Sequence, residues 1–401
     1  MTLSPTFLIY RTGFAPTNGT SVQMQRMFGS ADESLVHLMW DQREAGDQSI
    51  RWVINTDDGD FGLYWKFPFI RLGRILRNLK ESFFHPWWKS GQLNSSRLRK
   101  AMALVPLRPR QAYINFFNEA DAARACELWK ATGCPPFVLH ILDIFDSELS
   151  ETCTPNITFL ARNANHVLCL NRLIEREMQR IGAVETSLFS LCSDLEPIPR
   201  GKSPSAPLKI IISGALYSNF NVENKAMNLL LEAWPQVARA FPGAELHYSG
   251  AASWGLPEEL RPYIRDHGLL DTAAYRKLLR SCHMAYVPVS HLQHTTLRYS
   301  FPSRIPDYLV CGLPVIACTG ENTGIHEFFQ TTPHECTRLV STAEDFLATV
   351  QEFANDSTDW EKASRAATDY AKEAFAVESA RKILFNYLNA AGDLREIGMK
   401  N

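Results

Sequence analysis

The chain has 401 residues, 45% of them apolar and 21% charged, with a mean hydropathy of −0.17, which excludes a disordered chain, a collagen fibre or a disulfide mini-scaffold and favours two domains. With 41 basic residues against 43 acidic ones, the net charge of −2 argues against a dedicated nucleic-acid binder. No apolar run reaches the ~18 residues of a membrane span, the first ten residues lack the regions of a signal peptide, and the nine cysteines form no C-x-x-C pair, so free thiols in the reducing cytoplasm and no zinc site are expected.

In chain order, Phe7 to Tyr10 reads as a strand, and a helix follows from Thr20 past Met27. Val53 to Asn55, Ala112 to Ile114, Phe137 to Ile141 and His166 to Leu170 continue a first series of strands. Between residues 65 and 110 lie eleven Lys or Arg and the single acid Glu81, interleaved with Trp65, Phe67, Phe69, Phe83, Phe84, Trp87 and Trp88. From Leu195 to Pro207, four prolines fall in thirteen residues. That composition suits an interdomain linker, because proline fixes φ and withholds a donor. A second series opens with the strand Leu208 to Ile212 and a helix from about Glu223 to Ala240. It continues through Glu245 to Tyr248, Met284 to Val287 and Pro314 to Ala317. Strands alternating with helices imply an α/β fold of parallel sheets wound on both faces. Val377, Ala380, Leu384, Leu388 and Ala391 keep helical spacing, so the last segment is an amphipathic helix. The expected division is 1–200 with an insert at 65–110, then 208–370, then 371–401 as a helix crossing back to the first domain.

Phe301 to Ala317 is the most informative segment. Ser303 is expected as a helix N-cap, Pro306 stands in the first turn where its missing donor does no harm, and Gly312 is expected as the residue that ends the helix. Ser303 and Asp307 then share a face near the helix start, where free N–H groups and the positive dipole end suit a diphosphate. Arg304 adds a cation there, and Asp307 can accept hydrogen bonds from ribose hydroxyls. A capped surface helix fits the same residues equally well. Near the chain start, Gly13 to Ser21 forms a glycine-bearing turn in which Gly19 and Thr20 open a helix. Backbone N–H groups can approach an anion there, although a plain βα turn has the same composition. His140 lies at the carboxyl end of its strand, where binding residues of open α/β sheets cluster, but a lone strand histidine is more often structural.

The run from Pro302 to Val315 resembles the donor-site motif of GT4-like glycosyltransferases, Pro-Ser-Lys-x-x-Glu-Tyr-Leu-x-x-Gly-x-Pro-Val, with Arg304 for the Lys and Asp307 for the Glu. Gly324-Ile325-His326-Glu327 resembles the family's Gly-Ile-x-Glu turn, and His247 to Gly250 its strand ending in glycine. Leu269 to Ser281, followed by Val287-Pro288, resembles its tyrosine helix and next strand, so the likeness covers most of residues 208 to 330. It implies the GT-B fold, two Rossmann-like domains with parallel sheets facing across a cleft. The implied reaction moves a sugar from a nucleoside diphosphate sugar to a hydroxyl of a glycan or lipid-linked acceptor, with retention and with no metal or other cofactor.

The same likeness implies roles for single residues. Gly214 and Lys225 would face the leaving diphosphate, the Gly19–Thr20 turn would lie beside the donor phosphates, and His140 would line the cleft near the reacting sugar. His140, Lys225 and Arg304 are the implied catalytic residues. Two positions depart from the pattern. Ala215 stands where the family carries an Arg, so Arg304 is expected to supply that charge. Tyr299 stands eight residues before Asp307 in place of an acid and is expected, with Thr295 and Thr296, at the donor sugar. These departures leave a non-catalytic nucleotide-binding subunit as one alternative and a nucleotide-sugar epimerase of the same fold as another.

Three further features have more than one reading. Asp57-Asp58-Gly59-Asp60 can bind a divalent cation, but it equally suits an exposed turn. A hydrolase triad has no G-x-S-x-G elbow to place its nucleophile. In the basic insert, Leu72, Ile75, Leu76, Leu79 and Phe83 share a helical stripe, with Arg71, Arg74, Arg77 and Lys80 outside it. Cations and paired tryptophans suit the headgroup region of an anionic bilayer, so peripheral contact with a membrane surface is expected. An anionic polymer or a protein partner fits the same composition.

Overall fold

The computed structural model describes residues 2–12, 19–41, 53–55, 98, 102–103, 105–146, 148–197, 200, 207–214, 225–250, 257–289 and 298–398. The first lobe alternates β1 (Thr6–Thr12), α1 (Gly19–Phe28), β2 (Leu35–Asp41), β3 (Val53–Asn55), β4 (Gln111–Ile114), α2 (Glu119–Ala131) and β5 (Phe137–Ile141). It continues through α3 (Pro155–Asn163), β6 (His166–Cys169), α4 (Arg172–Arg180) and β7 (Thr186–Leu188). Its described strands form one parallel sheet in the order β3-β2-β1-β4-β5-β6-β7.

The second lobe repeats the plan with β8 (Lys209–Ser213), α5 (Lys225–Ala240), β9 (Glu245–Ser249), β10 (Ile264–Asp266), α6 (Thr272–Ser281) and β11 (Met284–Pro288). Then come α7 (Arg304–Val310), β12 (Val315–Cys318), α8 (Gly324–Thr331), β13 (Thr337–Leu339), α9 (Ala343–Asn355), α10 (Ser357–Ala374) and α11 (Val377–Gly398). The sheet order is β10-β9-β8-β11-β12-β13, again parallel throughout. In both sheets the order reverses once, between β1 and β4 and between β8 and β11, so each lobe has a crevice at the carboxyl ends of those strands.

Side chains alternate across each strand, which gives every sheet two buried faces. In the first lobe, Phe7, Ile9, Ile114 and Leu139 face one way with Ala122, Leu128, Ile157 and Leu160 of α2 and α3. Leu8, Tyr10, Tyr113 and Val138 face the other way, against Met24 and Phe28 of α1 and Leu384 and Leu388 of α11. The last helix therefore covers the amino-terminal sheet. Just before it, the chain passes the outgoing crossing side by side: Ser193 bridges Ala376, and Ser193 N–H donates to the Phe375 carbonyl at 3.0 Å.

The strand β2 opens on Leu-Val-His-Leu-Met, all buried, and follows a short 3₁₀ turn at Gly29–Ser34. It has no period-2 alternation because both faces are buried, and no sequence expectation above assigns it. One expected detail is corrected. Ser303 does not cap α7: it already has helical angles (φ −60°, ψ −13°) and makes no capping hydrogen bond. The helix end agrees with expectation. Gly312 takes φ +67°, and the Leu313 and Gly312 N–H groups donate to the Tyr308 and Leu309 carbonyls at 3.0 Å each.

Candidate functional site

The crevice of the second sheet is built around the turn after β8. Gly214 takes φ +97°, a region that glycine enters without strain. Its N–H donates to the Ser249 carbonyl at 2.9 Å, and its carbonyl accepts from the Tyr248 hydroxyl at 2.7 Å. Gly250 comes so close that a Cβ on it would collide with the Gly214 carbonyl oxygen. Ser213, the last residue of β8, is held from two helices. Its N–H donates to the Tyr308 hydroxyl of α7 at 2.8 Å, and its Oγ bonds both that hydroxyl and the Tyr275 hydroxyl of α6. Tyr308 is buried and Tyr275 half-buried, and desolvation pushes both phenols up and keeps them neutral.

Arg304, at the first position of α7, lies across this turn. Its Nη1 stands in the space that a Cβ on Gly214 would occupy, and its Cζ is 3.2 Å from that point. The Nε is buried and has no hydrogen-bond partner among the described residues. A buried donor on a cation, above a turn whose backbone is fixed by glycine geometry, suits an anionic ligand.

Asp307, one turn further on, is already engaged. Its Oδ1 accepts from Ser193 Oγ at 2.6 Å, and the Arg26 guanidinium of α1 reaches both carboxylate oxygens at 3.1 and 3.2 Å. Burial pushes the carboxyl up, against the opposing pull of Arg26 and Ser193. The sequence points to a ribose ligand at this position and carries no sign of the partner 281 residues away.

The amino-terminal lobe meets this region through its own strand ends. Asp143, just beyond β5, accepts from Ser300 Oγ at 3.3 Å, and burial pushes its carboxyl up to about 7. His140 is fully buried. Its Nδ1 is 2.7 Å from the Tyr113 hydroxyl, its ring meets Phe189 edge-on at 5.0 Å, and its Nε2 has no hydrogen-bond partner among the described residues. Desolvation pushes His140 down to about 3, so the ring is neutral. Tyr299 is 4% exposed, and its ring joins the core of the amino-terminal lobe. Its carbonyl accepts from Asn171 Nδ2 at 2.8 Å. The ring thus faces interlobe packing, where the sequence suggested a donor-sugar contact.

The structure brings Gly214 and Arg304 together, with Ser303 just before α7 and Asp307 within it. Lys225 opens α5 and Gly19 and Thr20 open α1, but nothing beyond their helical backbone is described. Residues 13–18, Ala215, Thr295, Thr296 and the Asp57–Asp60 run lie outside them too, as does most of the 65–110 insert. Among the described residues, no His, Cys, Asp or Glu cluster has metal-binding geometry, and no helix is long and apolar enough to cross a membrane. What sequence reasoning missed is Tyr308. It stands inside the motif, but only the fold shows that it buttons α7 to the end of β8.

Comparison with known proteins bears on the same lobe. Residues 208–356 match the family model described as Glycosyl transferases group 1. No curated protein sequence matches the chain significantly. Among solved structures, HepE of Anabaena in complex with UDP and glucose superposes with a TM-score of 0.62 at 11% identity, covering 96% of this chain and 99% of that one. Sucrose-phosphate synthase of Thermosynechococcus elongatus gives 0.61 at 13% identity over 99% and 100% of the two chains. A glycosyltransferase of Rickettsia africae gives 0.61 at 13% identity over 96% and 98%. At such identities the likeness is one of fold, and that fold is GT-B.

Proposed function

From the match of residues 208–356 to the model of glycosyl transferases group 1 and the GT-B fold of the whole chain, we propose that it transfers a sugar from a nucleoside diphosphate sugar to an acceptor hydroxyl. The observation that carries this reading is Arg304 lying over Gly214 with its buried Nε unpartnered. A diphosphate seated on the turn after β8 would satisfy that donor, with Lys225 as a second cation from the start of α5. Asp307 takes the ribose, and the Gly19–Thr20 turn approaches the phosphates from the other lobe.

Catalysis in this reading is stabilisation of the leaving group. As the bond from the anomeric carbon to the diphosphate oxygen breaks, negative charge grows on the diphosphate. Fixed cations and N–H donors meet that charge without reorganising. The acceptor oxygen bonds to the anomeric carbon, and its proton passes to the departing phosphate oxygen, with retention as the family likeness implies. His140 is then a neutral ring behind the strand ends, and Asp143 is a carboxyl that the first lobe brings against Ser300 of the second.

Uridine diphosphate is the first nucleotide to test, because HepE of the same fold is seen with it. A ligand at 100 times its Kd adds about 2.7 kcal/mol to stability, so a thermal-shift screen of nucleoside diphosphates and their sugars reads binding directly. Arg304→Ala removes the shift in this reading. A full shift in that variant would refute the assignment, and consumption of the donor only in the presence of an acceptor separates transfer from epimerisation.

A further inference from the structure

Arg26 sits where the two lobes and both chain crossings meet. It belongs to α1 and is 9% exposed. Its Nη1 donates to the Cys192 carbonyl at 2.8 Å, its Nε is 2.8 Å from Asp194 Oδ1, and its Nη2 reaches Asp307. Its own carbonyl accepts from Arg381 Nε of α11 at 2.8 Å. Gln23, one turn earlier, grips the same crossing: its Nε2 donates to the Cys192 carbonyl at 3.0 Å and its Oε1 accepts from Cys192 N–H at 2.9 Å. One guanidinium therefore touches the outgoing crossing and the donor helix α7, while its backbone holds the returning helix. Arg suits this task, since its five donors form a rigid fork.

Asp307 keeps room for another partner. Its Oδ1 takes Ser193 and Arg26, whereas its Oδ2 takes Arg26 alone among the described residues, and a tenth of the side chain is exposed. A carboxylate offers about four lone-pair sites, so a hydroxyl can donate to Oδ2 without displacing Arg26.

Resting on the donor-site reading above, we propose that Arg26 is a positioning residue for sugar transfer: through Asp307 it links the ribose bound on the donor lobe to the angle between the lobes. A ribose O–H donating to Oδ2 favours the ionised carboxylate and so strengthens its pairing with Arg26. By reciprocity, Arg26 holds the ionised carboxylate ready and raises nucleotide affinity. Nucleotide binding and lobe orientation then share one ion pair.

The test compares uridine diphosphate with its 2′,3′-dideoxy counterpart by calorimetry on the wild type, Arg26→Lys and Arg26→Met. Interlobe distances are read in parallel from genetically encoded labels at the exposed Glu127 and Asp359. The wild type should lose affinity by about tenfold or more without the ribose hydroxyls, as expected for at least one hydrogen bond to a charged group. Arg26→Met should shrink that ratio several-fold and broaden the distance distribution, and Arg26→Lys should keep most of both. A Met variant with the wild-type ratio and distances overturns the proposal. If Arg26→Met does not fold, Ser193→Ala removes a neutral donor from the same carboxylate and must also lower the ratio; an unchanged ratio overturns the proposal equally. A wild-type chain that binds no nucleoside diphosphate overturns the donor-site reading beneath it, whereas intact affinity with an unchanged ratio overturns this proposal alone.

Discussion

The guanidinium of Arg304 stands where a Cβ on Gly214 would have to go. The first residue of α7 and the turn after β8 are therefore fitted to one another, although 90 residues separate them.

Gly214→Ala meets two obstacles, the left-handed φ of +97° and the collision with Arg304. The variant is expected to fold with a loss of about 1–2 kcal/mol, and to lose the nucleotide-induced rise in Tm because Arg304 is pushed off the turn. Scanning fluorimetry with and without uridine diphosphate reads both quantities. A normal ligand shift in the alanine variant would mean that the turn does not hold the diphosphate.

Tyr308→Phe should cost about 1–3 kcal/mol, since it strands the buried N–H of Ser213 and takes a partner from its Oγ. Because the same hydroxyl fixes the end of β8, the donor KM should rise more than kcat falls. Denaturant unfolding and steady-state kinetics check the two parts separately. Stability loss with unchanged KM would leave Tyr308 a packing residue only.

Much of this arrangement is legible in the sequence, and the limits have physical causes. Alternating strands and helices gave the doubly wound lobes, and Gly312 announced the end of α7, because each rests on local chemistry. Ser303 misled because a serine before a helix is a cap only if its own backbone stays extended, and here it has already turned helical. Asp307 was legible as a functional acid, but not as the partner of Arg26, since nothing in local spacing links α1 to α7. The strand β2 escaped because burial on both faces erases the alternation by which strands are recognised.

Two desolvated groups give opposite pH dependences. His140 is held down to about 3 against an ordinary 6.5, so below pH 6.5 the unfolded chain takes a proton that the fold refuses. Stability should fall as pH drops from 6.5 towards 3, with a limiting slope of about 1.4 kcal/mol per pH unit. Asp143 is pushed up to about 7 from 3.8. The fold then keeps a proton that the unfolded chain has lost, and stability should fall as pH rises from about 4 to about 7. His140→Phe should flatten the acid side of the profile, and Asp143→Asn should flatten the rise-dependent loss. Urea unfolding between pH 4 and 8 would show it, and identical profiles for all three proteins would refute both assignments.

The basic aromatic insert predicts peripheral attachment to anionic lipid. Flotation with vesicles containing phosphatidylserine should carry the protein at low salt and release it at high salt, as screening of phosphate contacts requires. Replacing Arg71, Arg74, Arg77 and Lys80 with Gln should abolish flotation while leaving nucleotide binding intact. Equal flotation with neutral vesicles would point away from headgroup charge.

The position of α11 also constrains how the protein is made. Leu8, Tyr10, Tyr113 and Val138 have part of their cover in Leu384 and Leu388, which are translated long after them. During synthesis the second lobe has its own strands and helices complete while the earlier lobe still has a bare flank. The half translated first is thus the half that matures last, and a nascent chain stalled near residue 374 would expose that flank to chaperones.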